Sequence, residues 1–596
     1  MKPDFAVPLV AAAVILAAAV ILAAGVVLWL PWSNDSPTER AANPALSEIS
    51  VPPAPVGPPY FVDVTAVTGV SLTYRNGEEA NLSTILESLG GGIALFDYDS
   101  DGLLDVYATG GGRFDGTDNS RITGLPGKLF RNLGEMAFCD VTAETGLDVV
   151  PFYTHGAVAG DYDNDGQTDL LITGYGGLAL YRNEDGQRFR DVTQMWNLTD
   201  TRWATSAAFA DLMGKGRSDL FVARYVDWSF TNDPACPPRA GGEGRDVCPP
   251  QTFQALPPSL YRNDGAAFTD IWPELGVPPT GKGLGVVVAD VNEDGRPDVY
   301  VSNDASNNWL FLNRGDGKFE ESGMAAGVAV DDTGRYNGSM GVDVGDYDGS
   351  GKASLWVTNF ESELPALYQN VGREIFAYRS QAAGIGAIGG THVGFGTAFL
   401  DMDSDGWQDL VFVNGHVVRY PVGAPVLQKP VLLRNDQRSG RSFFVDVTSQ
   451  GGDFFDVPAL GRGLAVGDLD NDGWPDLVIS HSNTPLAILQ NSAATSKEHH
   501  WLGVQLQGRD HRPIVGATVT LEVDDRQLTR FARSGGSYLS SSDARLLFGL
   551  GKSGKIGAVK VRWPWGETQS WEGLAIDSYW ELVEGEASAH PVQGIR

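Results

Sequence analysis

Aspartates recur in this chain at a spacing that can hold a hard cation. The clearest copy places them at Asp161, Asp163, Asp165 and Asp169, with Gly166 inside the loop. Three stretches repeat it in full: Asp97, Asp99, Asp101 and Asp105; Asp401, Asp403, Asp405 and Asp409; Asp468, Asp470, Asp472 and Asp476. A fifth, Asp290, Asn292, Asp294 and Asp298, exchanges one carboxylate for an amide oxygen. Carboxylates at loop positions 1, 3 and 5 can converge when glycine at position 6 turns the chain sharply, and position 9 adds another oxygen. Position 7 can add a backbone carbonyl, here from Leu103, Gln167, Arg296, Trp407 and Trp474. Calcium takes six to eight oxygens in flexible geometry, so the sequence predicts about five calcium sites. They are not EF-hands. Position 12 carries Ala108, Ile172, Val301, Phe412 and Ile479 where that motif needs a bidentate glutamate. Turn formation alone explains one such loop; five at one spacing argue for metal.

Two more copies are degenerate. At Asp211, Met213 and Lys215 occupy positions 3 and 5, and the sequence places the lysine ammonium where a cation would sit. At Asp346, Asp348 is kept but Ser350 and Ser354 replace two carboxylates, which predicts weak binding.

Other chemistry is thinner. His155, His392 and His416 stand near glycines at expected strand ends, as acid/base candidates or as hydrogen-bonded structural imidazoles. Trp563, Trp565, Trp571 and Trp580 could stack on a glycan or pack a core. The chain contains no G-x-S-x-G, HExxH or Walker motif.

The elements that must position these loops are strands. Each loop joins an apolar strand with small residues to a second apolar strand. A third strand ends in asparagine, as in Leu180 to Asn183, and a fourth alternates, as in Phe189 to Thr193. Four strands, repeated seven times, describe the blades of a β-propeller. The fourth strand is missing after Asn491, and its phrase reappears at Phe61 to Thr65. The N-terminal strand therefore completes the last blade and removes the open edges.

The formal net charge is −32, which repels phosphate backbones and excludes nucleic acid as a partner. Cys236 and Cys248 flank a Pro/Gly-rich loop; a disulfide there suits an oxidising compartment, with two surface thiols as the alternative. Ala6 to Leu30 is apolar and uncharged, long enough to span a bilayer, which needs about 20 residues. An uncleaved signal anchor with the bulk outside is expected; the alternative is a signal cleaved around Ala23 to Gly25. Residues 33–59 are proline-rich and read as a linker.

The Asp loops, with Leu-Tyr-Arg-Asn and Phe-x-Asp-Val-Thr, resemble the FG-GAP/VCBS repeats of integrin α-subunit propellers. Residues 498–585 resemble the ASPIC/UnbV domain of the cartilage-acidic-protein-like family, through His500 to Gly508, Ile514 to Val519, Gly535 to Ser540, Leu547 to Gly551 and Val559 to Pro564. Asn414 to His416 matches as well, whereas Arg512 and Pro513 depart from the pattern. The resemblance implies this fold, export and calcium, but no settled activity.

The expected architecture is all-β: a signal or transmembrane helix (1–32), the linker (33–59), a seven-bladed propeller (60–497), a small β domain (498–585) and a tail (586–596). The expected function is a membrane-tethered, extracytoplasmic module binding a protein or glycan. The alternative is an enzyme doing cyclisation or epoxide-directed acid/base chemistry at the propeller mouth.

Overall fold

The computed structural model describes residues 58–239, 241, 243–277, 281–492 and 498–592. The expected membrane helix and most of the linker lie outside them. No helix among the described residues is long and apolar enough to cross a membrane.

The fold is all-β and propeller-like. Each repeat folds into one antiparallel sheet. The second sheet is typical: Tyr153–Gly160, Asp169–Tyr175, Gly177–Glu184 and Arg188–Asp191 lie side by side in chain order. The first strand is innermost in each of the seven sheets: Ile93–Phe96, Tyr153–Gly160, Ala204–Ala210, Gly283–Ala289, Val342–Gly345, Gly394–Leu400 and Gly461–Gly467. Neighbouring inner strands touch in sequence order, and Gly461–Gly467 lies against Ile93–Phe96. These strands are buried on both faces, so they read as near-continuous small or apolar runs.

The seventh sheet takes its outer strand from the other end of the ring. Phe61–Asp63 pairs antiparallel with Ala487–Asn491, Phe61 opposite Asn491. Phe61 is buried against Phe455, with ring centroids 6.0 Å apart. Aliphatic layers fill the space between sheets; Val287 and Leu310 pack against Val344 and Leu355 between the fourth and fifth.

After the ring comes a second unit of two four-stranded sheets. One holds Leu546–Gly551, His500–Gln507, Tyr579–Val583 and His590–Pro591; the other holds Arg526–Phe531, Thr518–Val523, Val559–Arg562 and Thr568–Trp571. Val504, Val519, Leu521, Phe548, Val561 and Trp563 form its core.

One segment of this unit leaves it. Ser534 to Ser542 runs into the middle of the ring and bonds every inner strand. Ser541 N–H donates to Ile93 O (2.7 Å), and Ala157 N–H to Leu539 O (3.1 Å). Leu539 N–H donates to Ser206 Oγ (3.1 Å), Gly536 N–H to Val286 O (2.7 Å) and Val342 N–H to Ser537 O (2.9 Å). Thr397 N–H donates to Ser537 Oγ (3.0 Å) and Val466 N–H to Ser542 Oγ (3.1 Å). Gly535 has φ +71°, and a Cβ there would lie 2.3 Å from Val286 O, so the plug needs glycine at this point.

Candidate metal centres

Every intact Asp loop is tied down by the same hydrogen bonds. In the second sheet, Asp161 accepts the N–H groups of Asp165 (3.2 Å) and Gly166 (2.9 Å). Asp165 accepts Gln167 N–H at 2.9 Å. Asp169 accepts Tyr162 N–H at 3.1 Å and, from the third strand, Asn183 N–H at 2.8 Å. The position-7 residues Leu103, Arg296, Trp407 and Trp474 likewise donate to Asp101, Asp294, Asp405 and Asp472. Position 9 is held in the same way at Asp105, Asp298, Asp409 and Asp476.

Position 3 is the exception. The Oδ1 atoms of Asp99, Asp163 and Asp403 are buried without a hydrogen-bond partner. A buried carboxylate oxygen without a donor is costly. In four loops three carboxylates come together with ligand atoms within 4.8 Å: Asp97, Asp99 and Asp101; Asp161, Asp163 and Asp169; Asp401, Asp403 and Asp409; Asp468, Asp470 and Asp476. Burial favours the neutral form of several loop carboxylates. It pushes Asp161 up to about 6 and Asp169 to about 9, Asp405 to about 7 and Asp472 to about 8, with neighbouring carboxylates adding to the shift. Asp105, Asp298, Asp401, Asp409 and Asp476 are raised well above the ordinary carboxylate range, again mainly by burial. Such a loop fits a divalent cation: hard oxygens, one of them unpartnered, in a site where negative charge is otherwise penalised.

The protein's own cations meet part of this demand. Arg131 reaches Asp99 (2.7 Å) and Asp101 (3.1 Å); Arg182 reaches Asp163 and Asp165, both at 2.6 Å. Arg296 turns onto Asp294, and Arg562 of the second unit lies 2.6 Å from Asp290. Asn292 donates to Asp294 at 3.0 Å. The fifth loop is therefore the one most occupied by protein groups.

The degenerate loop at Asp211 differs from expectation. Lys215 is exposed and only its backbone N–H bonds Asp211 (2.8 Å), so its ammonium does not take the cation's place. Trp565 covers this loop instead, its indole N–H donating to Asp211 O at 2.8 Å. At Asp346 the position-6 turn survives (Gly351 N–H, 2.9 Å), and Ser354 Oγ stands in for the position-9 carboxylate, accepting Asn370 N–H at 3.1 Å.

The sequence reading left the third-strand asparagine without a role. Asn183 Nδ2 donates to Thr168 O in its own loop (3.1 Å) and to Tyr98 O in the preceding sheet's loop (2.8 Å). Asn132, Asn263, Asn313, Asn370, Asn435 and Asn491 repeat the reach to Leu469, Tyr162, Leu212, Val291, Tyr347 and Met402. The asparagines thus staple sheet to sheet around the whole ring. Their recurrence in degenerate and intact loops alike was the available signal that they serve the fold.

The histidines are spent inside the protein. His155 is fully buried, Nδ1 3.1 Å from the Tyr74 hydroxyl, its ring stacked on Trp203, and burial pushes its pKa down to about 3. Burial also lowers His392 and His416; Nδ1 of His416 accepts Val418 N–H at 3.1 Å, and its Nε2 lies 3.4 Å from Glu361. Trp563 and Trp571 are core residues, and Trp580 packs against the same core. Cys236 and Cys248 are disulfide-bonded, Cα atoms 5.3 Å apart.

Comparison with known proteins agrees with this geometry. An FG-GAP-like repeat model matches residues 97–172, 161–222, 254–301 and 290–357, and an ASPIC and UnbV model matches 507–589. The chain thus carries FG-GAP-like repeats and a C-terminal ASPIC/UnbV domain. Among curated proteins it is similar to cartilage acidic protein 1. It is 24% identical to that of Mus musculus over 513 residues, covering 80% of this chain and 71% of the relative. It is 23% identical to that of Xenopus tropicalis over 512 residues, covering 80% and 70%. Solved structures resemble it distantly. A lectin of Agrocybe aegerita covers 62% of this chain and 82% of its own, at 17% identity and TM-score 0.37; a lectin of Burkholderia pseudomallei covers 68% and 96%, at 11% and 0.36.

Proposed function

We propose that this protein is an exported, seven-bladed propeller stiffened by calcium, which presents its loop surfaces to a protein or glycan partner. The observation that carries the calcium reading is the set of buried, unpartnered Oδ1 atoms at Asp99, Asp163 and Asp403, each inside a loop of carboxylates. The residues that would hold the ions are those of the five loops, with Asn292 in place of a carboxylate in one. A cation would supply charge neutralisation and fix the loop; no step of covalent chemistry is assigned to it.

Binding is favoured over catalysis because of what fills the ring. A propeller enzyme needs ionisable groups converging in an open mouth. Here the axis is occupied by Tyr538 and Leu539, both buried, packed with Leu86 and Leu89 of the N-terminal segment. His155 and His416 are buried with Nδ1 engaged by Tyr74 and Val418, and burial favours the neutral form of His392. The disulfide supports an oxidising compartment, and the apolar run from Ala6 to Leu30 supports export with anchoring.

The test is capture of partners by the full chain, in calcium and in chelator, followed by calorimetry with the captured molecule. Binding lost on chelation is the expected result; partner binding indifferent to calcium would sink the reading. Mass analysis of the membrane fraction should find the N-terminus intact; a new N-terminus near Gly25 would replace the anchor with a secreted form.

A further inference from the structure

The C-terminal domain holds the backbones of several Asp loops, Trp565 N–H reaching Gly295 O at 2.8 Å in the Asp290 loop, and two of these loops flank the plug. At the sixth sheet, Gly551 N–H donates to Ser404 O (2.8 Å), Arg526 Nη2 donates to Asp405 O (3.0 Å), and His499 Nδ1 lies 2.7 Å from Asp403 O. Arg530 Nη2 stands 3.5 Å from Asp401 Oδ2. At the seventh sheet, Arg545 donates to Asp468 O (2.8 Å) and Asn471 Oδ1 (2.7 Å), and the Tyr579 hydroxyl donates to Asp468 Oδ2 (2.6 Å). Trp501 is packed onto Gly473 so closely that a Cβ there would fall 1.9 Å from the indole. The first loop is held differently, by Arg131 of its own sheet.

These grips sit at the two feet of the plug. Arg530 is the last residue but one of the strand Arg526–Phe531 that precedes Ser534, and Arg545 stands just before the strand Leu546–Gly551 that follows Ser542. The carbonyls they hold keep their positions only while each loop keeps its shape. Three carboxylates within 4.8 Å of one another in each loop oppose that shape when charged, and a divalent cation among them would fix it.

We propose that calcium at the Asp401 and Asp468 loops gates the seating of the Ser534–Ser542 plug, making the C-terminal domain a cation-dependent latch on the ring. This rests on the calcium reading above. The latch adds that, among the loops the second domain touches, those at Asp401 and Asp468 flank the plug, whereas the Asp97 loop is held by Arg131 from within the ring.

Hydrogen exchange on the full chain tests it, in calcium chloride and in EGTA, with calorimetry of calcium binding in parallel. The amides of Gly536, Leu539 and Ser541, each bonded to an inner strand or its side chain, should exchange at least about tenfold faster in EGTA. Amides within the inner sheet pairs should stay protected. Asp403→Asn and Asp470→Asn should each speed plug exchange in calcium, and Asp99→Asn should not. Arg545→Gln should loosen the plug while calcium still binds. Calcium binding with unchanged plug exchange would overturn the latch and leave the calcium reading standing. Absence of any calcium heat would overturn both. Exchange that speeds equally throughout the ring, or a plug loosened as much by Asp99→Asn, would overturn the assignment to these two loops.

Discussion

Asn183 joins two sheets with one side chain, because its amide reaches carbonyls of both while its Oδ1 accepts Gly186 N–H at 3.0 Å. Asn183→Ala should orphan the Tyr98 and Thr168 carbonyls and cost about 2–4 kcal/mol in urea unfolding. Asn183→Asp should cost more, since it turns a negative oxygen toward those carbonyls. The loop's own signature residues would be less sensitive in the absence of metal. His155 gives a prediction in pH. Its folded pKa is about 3, below its ordinary value of 6.5. A depressed pKa means the stability is present above 6.5 and is lost as pH falls toward 3, because the unfolded chain takes up the proton first. Between pH 6.5 and 5 the wild type should therefore lose about 2 kcal/mol relative to a His155→Asn variant. Melting both proteins across that window reads the difference directly; parallel curves would show that His155 is not held neutral.

At the scale of elements, the recurring Phe-x-Asp-Val-Thr phrase has a mechanical explanation. The fourth strand ends in a turn where aspartate accepts the N–H of the threonine two residues on, as Asp191 does for Thr193 (2.9 Å). That threonine's hydroxyl then accepts a backbone N–H of the third strand, Leu180 at 2.9 Å. Thr65 does the same for Ile488 at 2.8 Å, 423 residues away in sequence. This is why the displaced strand was readable: the phrase keeps its local chemistry wherever it stands. Phe61→Ala should cost about 3–5 kcal/mol, as for other buried aromatics cut to alanine, whereas deleting residues 34–55 should leave the denaturation midpoint unchanged. The plug was not readable in the same way. Ser534 to Ser542 has no period, and its partners are strands whose sequence shows only that they are apolar and small. The Trp565 cover at Asp211 was hidden for a like reason, and the asparagine, though it recurs in every repeat, reaches a carbonyl of the neighbouring unit that its own repeat does not name.

At the scale of the molecule, the carboxylate loops make stability a function of the solution. A site that binds only the folded chain stabilises it by about 2.7 kcal/mol when free calcium is a hundred times its dissociation constant. Chelation should therefore lower the melting temperature strongly. In calcium, Asp163→Ala should be costlier than Asp211→Ala, and in chelator most of that gap should close. A melting curve indifferent to chelator, in protein verified to be metal-free, would make these loops turns and nothing more.

The stitching of the first inner strand to the plug also has a bearing on how the protein is made. Ile93 N–H donates to Ser540 Oγ, 447 residues further along the chain. At typical synthesis rates of about 5–20 residues per second, that strand waits about 20–90 s for its axial partner to emerge. Meanwhile its edges stay open to other chains. The inner strand thus lacks its axial partner for nearly the whole of elongation. The ring sets late, when the C-terminal residues arrive to fill its axis.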